Sequence, residues 1–263
     1  MPEKPQKPAF ADRDLRQQHI QIDGLRIMCT DIICNLLDHG PVGTAFVPGK
    51  LLVGKQCIST GMRHEEERCA AAVEAALAGQ PTALVCSGDP GIYALAGLAL
   101  EVLEAKGLVG TVPFGVVPGV PAVCAAAALL GAPLMHDFAC ISLSDLLTPW
   151  ETIVRRLNAA LEADFVCAIY NPRSKGRPHH LEQALEIARK FREPHCPVGL
   201  VRKAFRPGQE ARVFRLDQFD PTQVDMLSLL IIGNAESRAL GNFMLTPRGY
   251  AQKKGSDLGN LLK

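Results

Sequence analysis

From Gln56 onward, short uninterrupted apolar runs alternate with amphipathic stretches of helical spacing, and few folds accommodate that rhythm. QCIST, TALVCS, TVPFGVVPG, FACISLS, DFVCAIYN, VGLVRKA, ARVFRL and MLSLLIIGN read as strands. Residues 65–78, 91–106, 122–130, 149–163 and 179–191 read as the helices between them. Strands that are apolar throughout are buried on both faces, which points to a largely parallel sheet covered by helices. The two runs near 198–216 lie so close together that only a hairpin joins them. The expected fold is therefore α/β, with two αβα lobes. The first (54–133) is built on a mainly parallel sheet and the second (134–250) on a mixed one, and a charged tail follows at 251–263.

Residues 1–53 depart from the rhythm. LRIMCTDIICNLLDH fits a helix, or a buried strand followed by a helix, and periodicity does not separate the two. GPVGTAFVPGKLLVGK is a hydrophobic stretch punctuated by glycine.

Composition narrows the function classes. A chain of 263 residues with 48% hydrophobic and 21% charged residues can bury a sizeable core. Its formal net charge of +1 gives no global attraction to nucleic acid or anionic membranes. No apolar run is long enough for a membrane-spanning helix, and the polar start MPEKPQKPAF lacks a signal-peptide core. Nine cysteines form no CxxC pair, and several sit in apolar runs such as ALVCSG and FVCAIY. They read as small buried hydrophobes in a cytoplasmic protein, with no metal site expected.

Two glycine motifs invite a nucleotide reading. GKLLVGKQ has P-loop spacing, yet Gln56 stands where magnesium needs a hydroxyl, and an extended run follows instead of a helix. SGDPGIYALAG has the strand, glycine turn and helix of a dinucleotide site. Its glycines (88, 91 and 97) do not make GxGxxG, and Asp89 would repel a pyrophosphate. An acidic glycine turn after a buried strand suits a ligand with a cation and hydroxyls, as S-adenosylmethionine has; its alternative is a plain tight turn. The loops 116–122, 142–150, 170–178, 201–208 and 246–250 also follow strands, at the edge where open α/β sheets bind ligands.

Read together, SGDPGIY, VPGVPA, SLSDLLTPWE, YNPRSK and LLIIGN…TPRGY resemble the tetrapyrrole methylase family, in its precorrin-3B C17-methyltransferase branch. GDP is shared across the superfamily; SLSDLLTPWE and YNPRSK are the branch-specific signals. The resemblance implies S-adenosylmethionine bound between the lobes, commonly in a homodimer. It implies methylation of precorrin-3B or its cobalt counterpart at C17, with ring contraction, in cobalamin biosynthesis. By position, Ser87, Gly88, Asp89 and Ile92 meet the cofactor, with Pro121 and Ala122 in a second loop. Asn171 and Ala204 line the second lobe, and Thr246, Pro247 and Arg248 lie near the adenine. Arg63, Arg173, Lys175 and Arg202 would hold the carboxylates of an anionic tetrapyrrole substrate.

Asp145, Tyr93 and His136 are the candidates for proton transfer. Their alternatives are a helix N-cap, a packing aromatic and a surface residue at the lobe boundary. One departure stands out: relatives begin with a strand and a GxGPGD-like loop, and this chain offers only GPVG at 40–43. An inactive cofactor- or tetrapyrrole-binding relative stays open on that account, and a methylase for another ring carbon is the nearer alternative, against which SLSDLLTPWE argues.

Overall fold

LRIMC forms strand β1 (Leu25–Cys29), and it takes the central place in the first sheet. The structure, a computed structural model, describes residues 64–174 and 176–253 together with the backbone of 25–29. The expected strand QCIST, the GKLLVGKQ turn, GPVG, Arg63 and Lys175 lie outside the described residues. β1 pairs in parallel with β2 (Thr82–Cys86) on one side and β3 (Phe114–Val116) on the other.

Helices α1 (Glu65–Leu77) and α2 (Leu95–Ala105) complete the first lobe. α1 is alanine-rich, and three glutamates in its first turn complement the positive end of the helix dipole. Cys69, Val73 and Ala76 make its buried stripe, which packs with Leu95, Ala99 and Leu103 of α2 over Leu84 and Val112. α2 begins four residues later than the sequence pattern suggests. Tyr93 has φ 51°, which a right-handed helix cannot hold, so residues 89–94 stay in the loop.

The second sheet runs β5-β6-β9-β7-β8, built from Phe138–Ser142, Val166–Tyr170, Ser228–Ile232, Pro197–Arg202 and Glu210–Arg215. β5 and β6 are parallel, β9 is antiparallel to both its neighbours, and β7–β8 is the expected hairpin. Val166 to Ile169 are all fully buried, and the pleat sends them alternately to two cores. Cys167 and Ile169 meet α4 (Trp150–Glu162) and α5 (His180–Phe191) through Ile153, Leu157, Leu161, Leu181 and Leu185. Val166 and Ala168 meet α3 (Ala122–Leu130) through Val123, Ala126 and Leu130.

Thus α3 precedes the lobe boundary expected between 133 and 134 yet buries its apolar face on the second sheet. Gly199 makes the close approach possible, because a Cβ there would overlap the Leu130 side chain. Three short strands complete the fold: β4 (Gly131–Ala132), β10 (Arg238–Leu240) and β11 (Phe243–Leu245), in the order β10-β11-β4.

Candidate active site

Loops from both lobes meet around a cleft of about 790 Å³, part of it continuous with solvent. The loop after β2 contributes Ser87, Gly88, Asp89, Ile92 and Tyr93; the loop after β3 and the start of α3 contribute Pro121, Ala122 and Ala126. From the second lobe come Tyr170 and Asn171 after β6, Val201 and Ala204 at the end of β7, and Met226 to Leu229 entering β9.

Among the described residues, Asp89 is the one charged side chain lining this cleft. Its carboxylate accepts from the Gly91 N–H at 2.8 Å and from the Gly119 N–H at 3.1 Å, and so fastens the first loop to the second. Gly88, at φ 75°, supplies the left-handed turn that brings Asp89 round. A carboxylate offers about four acceptor positions, so two remain for a ligand.

Tyr93 spans the lobes. Its hydroxyl donates to the Cys140 carbonyl at 3.0 Å, and its ring lies against Tyr170 with centroids 4.9 Å apart. Burial, reinforced by Cys140, pushes its phenol above the ordinary value. Tyr170 in turn accepts from the Val123 N–H at 2.9 Å, and burial raises its pKa strongly. These hydroxyls stay protonated at neutral pH and act as ties between elements.

Asn171 has φ 48°, a conformation Asn tolerates better than most residues, and its amide donates to Ser142 Oγ at 3.0 Å. Lys203 and Phe205, at φ 50° and 57°, bend the chain on either side of buried Ala204. The other expected site residues lie outside the cleft lining. Asp145 sits 3.7 Å from Arg177 and 3.7 Å from His180, and exposed His136 accepts from the Asp137 N–H. Thr246 is fully buried, 2.7 Å from Ser237 Oγ, and neither it nor Pro247 or Arg248 lines the cleft.

Of the expected substrate cations, the two described ones are engaged within the protein. Arg173 donates to the Pro221 carbonyl and lies 3.4 Å from Glu182. Arg202 donates to Asp225 at 2.7 Å and reaches Glu210 at 3.5 Å. Asp225 also accepts from the Leu227 N–H and the Ser228 hydroxyl, so Arg202 steadies the Met226–Ser228 loop that lines the cleft. Sequence reasoning missed that loop. It looked to the carboxyl ends of strands, but β9 is antiparallel, and its amino end reaches the same edge.

A cleft at the loop edge of two α/β lobes, lined among the described residues by one acidic group and several small residues, is the site of a group-transfer enzyme. The chain belongs to the tetrapyrrole (corrin/porphyrin) methylases, whose family model matches residues 36–220. It is 50% identical over 196 residues to the probable cobalt-factor III C(17)-methyltransferase of Salmonella typhimurium, covering 74% of this chain and 80% of that one. To the precorrin-3B C(17)-methyltransferase of a Sinorhizobium species it is 41% identical over 201 residues, covering 74% and 79%. The cobalt-factor III methyltransferase of Priestia megaterium is 45% identical over 77% of this chain, but the match spans 38% of that longer protein. The crystal structure of the methyltransferase CobJ superposes with a TM-score of 0.76 at 34% identity, covering 85% of this chain and 99% of that one. Cobalt precorrin-4 methyltransferase CbiF shares the fold, at 18% identity and a TM-score of 0.57.

Proposed function

We propose that this chain methylates C17 of a corrin precursor, precorrin-3B or cobalt-factor III, with S-adenosylmethionine as the donor and with contraction of the macrocycle. The observation that carries the reading is the half-identity to a C17-methyltransferase across 196 residues, a span long enough to include both lobes. The cleft fits the donor. Among the described residues Asp89 is the sole charge on its wall, and Ala122, Ala126 and Ala204 leave room for a nucleoside.

The donor's sulfonium supplies an already activated methyl group, so binding and orientation are what remains for the protein. The Ser87–Asp89 loop offers a hydroxyl, a glycine turn and a carboxylate to ribose hydroxyls or the ammonium group. Asn171, Ala204 and the Met226–Ser228 backbone form the opposite wall. Asp89 holds the first loop in place by accepting from Gly119, and Tyr93 ties that loop to the second lobe. Such fixed placement of a methyl group against a carbon nucleophile supplies much of a transfer rate. The same reading takes the protein to be a cytoplasmic homodimer.

The test is incubation of the purified chain with S-adenosylmethionine and each of the two precursors, followed by mass and absorption spectra. The expected result is a macrocycle heavier by one CH₂ with a changed chromophore, and S-adenosylhomocysteine formed in equal amount. The precursor consumed faster identifies the route. Tight binding of S-adenosylhomocysteine with no product from either precursor would overturn the activity.

A further inference from the structure

Away from the cleft lining, the SLSDLLTPW loop carries a cluster that the proposed function leaves unused. His180 opens α5, and its ring stacks on Trp150 with centroids 4.0 Å apart and planes 10° from parallel. Its Nδ1 lies 3.3 Å from the Leu143 carbonyl. A carbonyl can only accept, so Nδ1 carries the hydrogen and Nε2 of the neutral ring is left with a lone pair. That lone pair faces Asp145, with Nε2 3.7 Å from Oδ2. Two acceptors thus face each other just beyond hydrogen-bond distance, and a small approach would let one proton bridge them.

The surroundings fit a working pair. The His180 side chain is 16% exposed, whereas Asp145 keeps 36% exposed and can meet a ligand. Arg177 holds the other carboxylate oxygen at 3.7 Å, donates to the Leu143 carbonyl at 2.7 Å and reaches the carbonyl of cleft residue Asn171 at 3.3 Å. Among the described residues it is the charged side chain that faces Asp145 beside the pair. Trp150 is fixed from its own side by donating to Gln183 at 2.8 Å, and Glu182 turns instead to Arg173.

We infer that Asp145 and His180 form the proton-accepting pair of the reaction, with Trp150, Leu143 and Arg177 positioning it. This rests on the methyl-transfer reading above. Methylation of a neutral carbon leaves one surplus proton on the macrocycle: the new bond uses the carbon's electron pair, and the donor sulfur keeps its own. Asp145, the more exposed of the two side chains, takes that proton and passes it to Nε2 of His180, which holds it until solvent removes it.

Trp150 is the chain's one tryptophan, so its emission, quenched by a protonated imidazole stacked on it, reports the state of His180 without turnover. Emission should fall as pH is lowered in the wild type, and His180→Gln should abolish that change. The wild-type kcat should fall with pH through the same midpoint, since the base must be unprotonated. His180→Gln and Asp145→Asn should each lower kcat by about a hundredfold or more, the span of general acid–base catalysis, and Asp145→Glu should restore part of it. KM and S-adenosylhomocysteine affinity should stay within about twofold, an effect worth under about 0.5 kcal/mol. A kcat indifferent to His180→Gln, or a wild-type pH–rate profile with no limb at the fluorescence midpoint, overturns the pair. A tryptophan signal that ignores pH overturns its geometry, and does so even if neither precursor is methylated, an outcome that sinks the functional reading separately.

Discussion

At the scale of single residues, Asp89 has two tasks, and they predict a measurable cost. Its oxygens hold the Gly91 and Gly119 N–H groups, which keeps two loops in register, and its charge is the one on the cleft wall among the described residues. Asp89→Ala should therefore weaken S-adenosylhomocysteine binding by roughly tenfold or more, since a hydrogen bond to a charged group contributes about 1.5–3 kcal/mol. Asp89→Asn should lose affinity too, because its amide hydrogens would confront one of the N–H donors. Calorimetry giving wild-type affinity for Asp89→Ala would remove the loop from the cofactor site. The motif SGDPGIY made this loop legible, and YNPRSK did the same for Asn171. The partners of the cations were not legible. Arg202 and Asp225 are 23 positions apart, and only the β7–β9 pairing, Arg202 opposite Ser228, brings them together. His180 was hidden for a related reason: as the first residue of a helix it carries no pattern, and its meaning comes from Asp145 across the fold.

Between elements, the tightest constraint is where α3 crosses the second sheet. Gly199 lies in β7 between Val198, which faces the α4–α5 core, and Leu200, so it faces Leu130 on the opposite side. Gly199→Ala would drive a methyl group into the end of a leucine side chain that has no exposed surface, so that side chain or α3 must shift. The expected loss is about 1–3 kcal/mol, typical of overpacking, read as a lower urea midpoint at unchanged slope. An unchanged midpoint would mean that α3 rides higher on the sheet than described. The long apolar runs made most of this architecture readable, because β6 and β9 are buried on both faces and α4 and α5 carry clean polar and apolar sides. The lobe that α3 joins was not readable. AVCAAAALL has no polar stripe, so nothing in its pattern says which sheet it will cover. β4, β10 and β11 were missed because two or three residues hold no period.

Across the whole molecule, buried thiols sit in both lobes and set its response to alkali. Burial pushes Cys69 in α1 from its ordinary value of 9.0 up to about 11, Cys167 in β6 to about 12 and Cys196 before β7 to about 11. Below pH 9 these thiols are protonated whether the chain is folded or not, and pH does not discriminate between the states. Above it the unfolded chain releases protons that the folded chain retains, so stability is lost as pH rises toward the folded values. Cys167 alone is worth up to about 1.4 kcal/mol for each pH unit in that window. Burial of Tyr93 and Tyr170 extends the same trend above pH 10. The melting temperature in reducing buffer should therefore be level from pH 7 to 8.5 and fall steadily to pH 11. Cys167→Ala should start lower, for lack of a packed side chain, but fall less steeply. If the wild type melts at one temperature throughout, or if both proteins decline in parallel, the thiols are not the groups that link folding to alkaline pH.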